Sequence, residues 1–124
     1  MQSRVFPFSD ASSSDAPQLS VRHTRERGCS VVTLTGELDL FTREMVAQAL
    51  ERAAVSGRTV VVDLSELAFV DASGLGTFVA ARNRATAAGA DLVLRHPSSA
   101  VSRIIDLAGL ESLIATNGKS RVAS

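Results

Sequence analysis

The chain has 124 residues, enough for one domain with little to spare. Its 13 basic and 13 acidic residues cancel, leaving no basic excess to neutralise a nucleic-acid backbone, so direct DNA or RNA binding is not expected. Hydrophobic residues reach 45% with neither Trp nor Tyr and only five Phe, which calls for an aliphatic core.

The lone cysteine, Cys29, has no internal disulfide partner and suits a reducing compartment. No apolar run approaches the roughly 20 residues that span a bilayer. The start of the chain lacks the apolar stretch of a secretory signal. A cytoplasmic protein with no membrane partner is expected.

Residues 1–18 are dense in Ser, Asp and Pro and are predicted to be a mobile tail. Within it, Val5, Phe6 and Phe8 offer a short apolar stretch for docking at a sheet edge. Two strands are predicted next. Leu19, Val21, His23 and Arg25 alternate with polar neighbours, a weak period-two pattern suited to an edge strand. Gly28 marks the turn, and Val31-Val32-Thr33-Leu34-Thr35 is a stronger β run. Gly36-Glu37-Leu38-Asp39 closes the hairpin and leads to a helix, with Asp39 a candidate local cap before it.

From Thr42 the spacing becomes helical, with Met45, Val46, Ala49, Leu50, Ala53 and Ala54 on one apolar face. Thr42 is the predicted N-cap and Gly57 the stop. Residues 59–64 form an almost continuous apolar run, as expected for a central strand covered on both faces, with Asp63 as a turn residue at its end. A second helix is predicted over 73–88, with Leu75, Phe78, Val79 and Ala85 toward the core and Gly89 as its stop. Leu92-Val93-Leu94 is the next strand. Pro97 and Ser98 open a third helix carrying Val101, Ile104, Ile105 and Ala108, ended by Gly109. Leu110, Leu113 and Ile114 read as a final short strand or turn, and 117–124 as a tail. Buried positions should include Val60, Val61, Val62 and Leu64 of the central strand, with Val46, Leu50, Phe78, Val79, Ile104 and Ile105 packed on it.

Ser73 stands where the second helix begins, beside unpaired backbone N–H groups and the positive end of the helix dipole. On position alone it reads as a helix cap, although a phosphate would also be well placed there. Asp71 reads as a turn-former or cap for the same helix. Enzyme signatures fail. A nucleophile elbow needs glycine at the positions of Asp71 and Leu75, and a dinucleotide loop needs it at Val79. His23, His96 and Cys29 lack paired ligand spacing, so no metal and no other cofactor is expected. Arg82 and Arg84 fit a solvated helix face.

The stretch Val60-Val61-Val62-Asp63-Leu64-Ser65 followed by Asp71-Ala72-Ser73-Gly74-Leu75-Gly76 resembles the signature of STAS domains of the anti-sigma factor antagonist family. The resemblance covers residues 19–113. Gly36-Glu37-Leu38-Asp39 is similar to a second family element. The resemblance implies a single STAS domain over 19–116. Its fold would be α/β, a mixed sheet of four to five strands with helices packed largely on one face. It also implies a bacterial transcription regulator, in stress response or sporulation, that switches partners and is not itself an enzyme. Ser73 aligns with the phosphorylated serine, while Ala72 replaces the serine before it. Asp71, Ala72, Gly74, Leu75, Gly76, Glu37 and Asp39 would form the partner-binding surface, with Gly74 and Gly76 leaving the backbone open to close approach. The unphosphorylated form would bind an anti-sigma factor that is also a serine kinase, and a metal-dependent serine phosphatase would reset the switch. A STAS subunit of a transport system, or a small-ligand or nucleotide sensor, is the alternative. A bound ligand or a transporter partner would distinguish it.

Overall fold

The computed structural model describes residues 18–115. The expectations for the terminal tails and for Val5, Phe6 and Phe8 lie outside the described residues. Strand β1 (Leu19–Glu26) pairs antiparallel with β2 (Cys29–Leu38) through a two-residue loop, Arg27 and Gly28, both with positive φ (51° and 82°). That is the backbone a tight hairpin needs to match the twist of its strands. Helix α1 (Arg43–Ala54) then leads to β3 (Val60–Val70), α2 (Ala72–Ala87), β4 (Leu92–Arg95) and α3 (Ser99–Leu107). A single 3-10 turn follows at Glu111–Leu113.

The sheet order is β1-β2-β3-β4, with the last two pairings parallel. Ile114 makes a parallel bridge to Leu94, the rudiment of a fifth strand. Parallel register aligns Val32, Val62 and Leu94 in one row and Ser30, Val60 and Leu92 in the next. The apolar members of these rows share one buried cluster with Val46 and Leu50 of α1, Phe78 and Ala85 of α2, and Val101 and Ile105 of α3. α1 and α2 lie side by side on this face, and α3 packs against β3. The alternate rows, Val31-Val61-Val93 and Thr33-Asp63-Arg95, lie on the other face.

Several expectations need correction. Val61 points to that second face and is only half-buried, and Val79 and Ile104 sit at the margin of the cluster. Met45 is exposed at the edge of the α1 apolar stripe. Asp63 does not end its strand. From Thr33 to Thr35 on β2, β3 runs from Asp63 to Glu66, and a second register slip follows at Gly36 and Glu37. Each slip fits one extra residue into β3, so the strand bulges and continues to Val70. The Asp63 carboxylate accepts the Ser65 N–H (2.9 Å) at the bulge and pairs with Arg95 Nε (2.9 Å) from β4. Burial raises its pKa, but the bonds from Ser65 and the Arg95 charge outweigh that and hold it below the usual carboxylate value.

Gly36 is the one strand position where no side chain fits. Its φ is +117°, and a Cβ there would meet the Gln18 carbonyl, which accepts the Glu37 N–H at 2.7 Å. Gly36→Ala should therefore destabilise the domain by more than about 1 kcal/mol. Phe78→Ala, which empties the largest fully buried side chain, should cost about 3–5 kcal/mol. Urea unfolding midpoints at unchanged slope measure both.

Candidate functional site

The two strands that leave the sheet at the same end, β2 and β3, deliver the two loops singled out in the sequence. β2 ends at Leu38 and β3 at Val70, aligned partners. The Asp71 N–H donates to the Leu38 carbonyl (3.1 Å), so the Asp71-Ala72-Ser73 turn is tied to the end of the Gly36-Glu37-Leu38-Asp39 element. The two sequence elements form one surface.

Asp71 caps α2. It has extended backbone, and its Oδ1 accepts the Gly74 N–H (2.9 Å) and the Ser73 hydroxyl proton (2.7 Å). Ser73 is therefore not the cap; it lies one residue inside the first turn, half-buried, with its hydroxyl held by the carboxylate two residues earlier. These bonds set the carboxyl's acidity. The Ser73 hydroxyl lowers the Asp71 pKa most, the Gly74 N–H next, and the Leu40 backbone adds a smaller contribution in the same direction. Asp71 is thus an ionised orienting group and a weak base.

Gly74 and Leu75 face inward. A Cβ on Gly74 would meet Leu38 Cγ at 2.6 Å and Val70 Cγ2 at 2.8 Å, so glycine is what lets α2 start directly on the strand ends. Leu75 is 5% exposed and belongs to the core. Ala72 and Gly76 are exposed, and the space around Gly76 is open. Approach to Ser73 from outside is thus across Ala72 and Gly76, with Gly74 and Leu75 as the support beneath.

Thr42 holds the N-cap position of α1, as expected, but its side chain does not cap; on the loop ahead of it Asp39 braces the backbone. Its Oδ1 accepts the N–H groups of Phe41 (3.0 Å) and Thr42 (3.1 Å), whereas Thr42 has helical backbone and makes no side-chain cap bond of its own. The Thr42 hydroxyl instead accepts the Asp39 N–H (3.0 Å) and sits 3.0 Å from the Glu37 carbonyl, staying inside the loop. The Glu37 side chain is exposed beside it. This bracing presents Leu40 and Phe41 to solvent, 56% and 85% exposed. The sequence reading missed this pair. The signal was two large apolar residues placed after an Asp turn, ahead of the helical spacing.

A groove of about 370 Å³ runs between α1 and α2, with Ser73 at one end. Arg43 and Glu44 line it from α1, and Thr77 and Arg84 from α2. Arg82, the other arginine of that helix, turns away to Asp91 (3.5 Å). Among the described residues no group of three or more His, Cys, Asp or Glu is placed to hold a metal ion, and no helix is long and apolar enough to cross a membrane.

A four-stranded mixed sheet with this helix order is that of a STAS domain, and the chain matches the family described as "Mlab, STAS domain" over residues 21–115. It is 28% identical to the anti-sigma-B factor antagonist of Bacillus subtilis over 89 residues, 72% of this chain and 82% of that protein. It is 33% identical to the anti-sigma-B factor antagonist of Listeria monocytogenes over 84 residues, 67% of this chain and 74% of that one. An anti-sigma factor antagonist from Mycobacterium paratuberculosis superposes with a TM-score of 0.66 at 28% identity, covering 80% of this chain and 86% of that one. The chain belongs to the STAS-domain family of anti-sigma factor antagonists.

Asp71→Ala should cost about 1 kcal/mol, because the cap bond to Gly74 is lost. The carboxyl's folded pKa is depressed, so its stabilisation is present above the unfolded value of about 3.9 and lost as pH falls through the folded value. Chemical unfolding should show the full wild-type advantage above about pH 5 and a shrinking one below about pH 4.

Proposed function

We propose that this protein is a partner-switching antagonist of an anti-sigma factor, with Ser73 as its phosphoacceptor. In the unphosphorylated form it binds an anti-sigma factor of the serine-kinase type and frees the sigma factor held by it. The observation that carries the reading is the Ser73 hydroxyl. It stands at the accessible start of α2, fixed at 2.7 Å by Asp71, on a surface that also presents Leu40 and Phe41. Proteins similar over most of this chain are named as antagonists of anti-sigma factors.

The chain supplies the hydroxyl, and the kinase supplies nucleotide and metal. In the transfer the Ser73 Oγ–P bond forms as the bond from the terminal phosphorus to the leaving ADP oxygen breaks. The hydroxyl proton passes to the kinase's base. Little covalent help is needed from the acceptor, so the value of Asp71 is orientation. A metal-dependent serine phosphatase resets Ser73 by hydrolysing the ester, water supplying the new oxygen and inorganic phosphate leaving. The surface offered to the kinase is Asp71, Ala72, Ser73 and Gly76 together with Glu37, Asp39, Leu40 and Phe41, with Gly74 and Leu75 holding it from below.

Phosphate adds about −1.5 to −2 charge at pH 7 beside the Asp71 carboxylate. An interface fitted to a neutral hydroxyl must then desolvate two like charges. A loss of about 2.8 kcal/mol lowers affinity about 100-fold. Ser73→Ala should remain folded and keep binding a candidate anti-sigma kinase. Ser73→Asp should stay folded, because a helix N-terminus favours a carboxylate, but bind more weakly, in the same direction as the phosphorylated form. Calorimetry of the three forms against the same kinase measures this. Equal affinities for all three would make Ser73 a structural residue only.

A further inference from the structure

A phosphate on Ser73 would stand at the wall of the groove between α1 and α2. The Ser73 hydroxyl is at present a donor to Asp71. Esterification removes that proton, so the bond is lost, and it places a dianion beside an ionised carboxylate. Like-charge repulsion turns the new group away from Asp71. Asp39 lies on that same loop side, as the carboxylate that braces Phe41 and Thr42. The direction left open is the groove, of which Ser73 is itself a wall.

Two cations line that groove, Arg43 at the first turn of α1 and Arg84 in the last turn of α2. Neither makes an ion pair among the described residues, whereas Arg82 and Arg95 both do. They are not equivalent. Arg84 is eleven residues along the same helix from Ser73, a rise of about 16 Å, beyond direct contact with a phosphate on Ser73. α1 and α2 each follow a strand of one parallel set, β2 and β3, so both helices start at the same end of the sheet. Arg43 and Ser73, each in the first turn of its helix, therefore line the same end of the groove. The one anionic wall residue, Glu44, is engaged by the Gln48 side-chain amide (3.5 Å).

We infer that Arg43 is the counter-charge for phosphorylated Ser73: the phosphate turns from Asp71 into the groove and is clamped there by the Arg43 guanidinium, joining α1 to α2. A planar guanidinium suits bidentate contact with phosphate oxygens. In the unphosphorylated form the same arginine is free for a partner. Phosphorylation then alters the binding surface twice, adding negative charge at Ser73 and withdrawing positive charge at Arg43.

This rests on Ser73 as the modified residue, and its test is independent of any kinase. Phosphoserine is installed at position 73 by genetic encoding in the otherwise unaltered chain. Its second ionisation, ordinarily near pH 6, is then followed by phosphorus NMR. Asp71, Asp39 and Glu44 raise that value and are the same in every variant compared; Arg43 and Arg84 lower it. Arg43→Gln should raise it by about 0.5–1 pH unit, a three- to tenfold change in the ionisation constant. Arg43→Lys should retain part of the effect, and Arg84→Gln should shift it less than Arg43→Gln. Arg52→Gln, at the far end of α1, should leave it unchanged. The Arg43 Nε–H resonance should move with the same midpoint as the phosphate. An unchanged midpoint in Arg43→Gln, an equal shift in Arg52→Gln, or a larger shift in Arg84→Gln would each overturn the assignment. None of these outcomes bears on whether a kinase uses Ser73, which mass spectrometry of the wild-type chain decides.

Discussion

The Asp71 carboxylate is the interaction on which the site depends. One oxygen serves two donors, the Gly74 N–H and the Ser73 hydroxyl. The first bond starts α2 and the second aims the hydroxyl. Because the Asp71 N–H also bonds the Leu38 carbonyl, the same residue fastens the start of α2 to the end of β2. A helix start, a strand end and the orientation of the Ser73 hydroxyl thus share a single anchor. Its carboxyl is kept ionised by the groups it organises, so structure and charge state support each other.

That anchor works only because the backbone beneath it can approach closely. Gly74 leaves no Cβ between α2 and the side chains of Leu38 and Val70. β3 reaches Val70 only by absorbing two bulges, which keep Leu64, Leu67 and Val70 in the core while carrying the chain to the level of Leu38. The result is a platform on which the polar turn and the Leu40-Phe41 pair are held outward. Under the proposed switch, a phosphate on Ser73 would change the binding of this surface by local charge, because a helix N-terminus accommodates the added anion without refolding.

Element type and order were legible in the sequence because the spacing changes from two to helical at each boundary, and Gly28, Gly89 and Gly109 lie just past element ends. Element ends were less so. Asp63-Leu64-Ser65 has the composition of a turn, and the register slip against β2, with Ser65 bonded to Asp63, shows it as a bulge inside a strand. Thr42 and Ser73 have the chemistry of caps, yet Thr42 occupies the cap position with its hydroxyl turned back into the loop, and Asp71 takes the cap of α2 in place of Ser73. Local composition does not reveal which of two neighbouring oxygens the backbone N–H groups choose. The Arg43 and Arg84 groove was invisible because it arises from two helices separated by a strand in sequence.

The most direct measurement of the central claim is the location of phosphate by mass spectrometry, after incubation of the protein with candidate anti-sigma serine kinases, ATP and magnesium. The account predicts one phosphate per chain, on the peptide containing Ser73, and none there when Asp71-Ala72-Ser73 is replaced by Asp71-Ala72-Ala. Phosphate on Ser65 or on the N-terminal serines, with Ser73 unmodified, would contradict it.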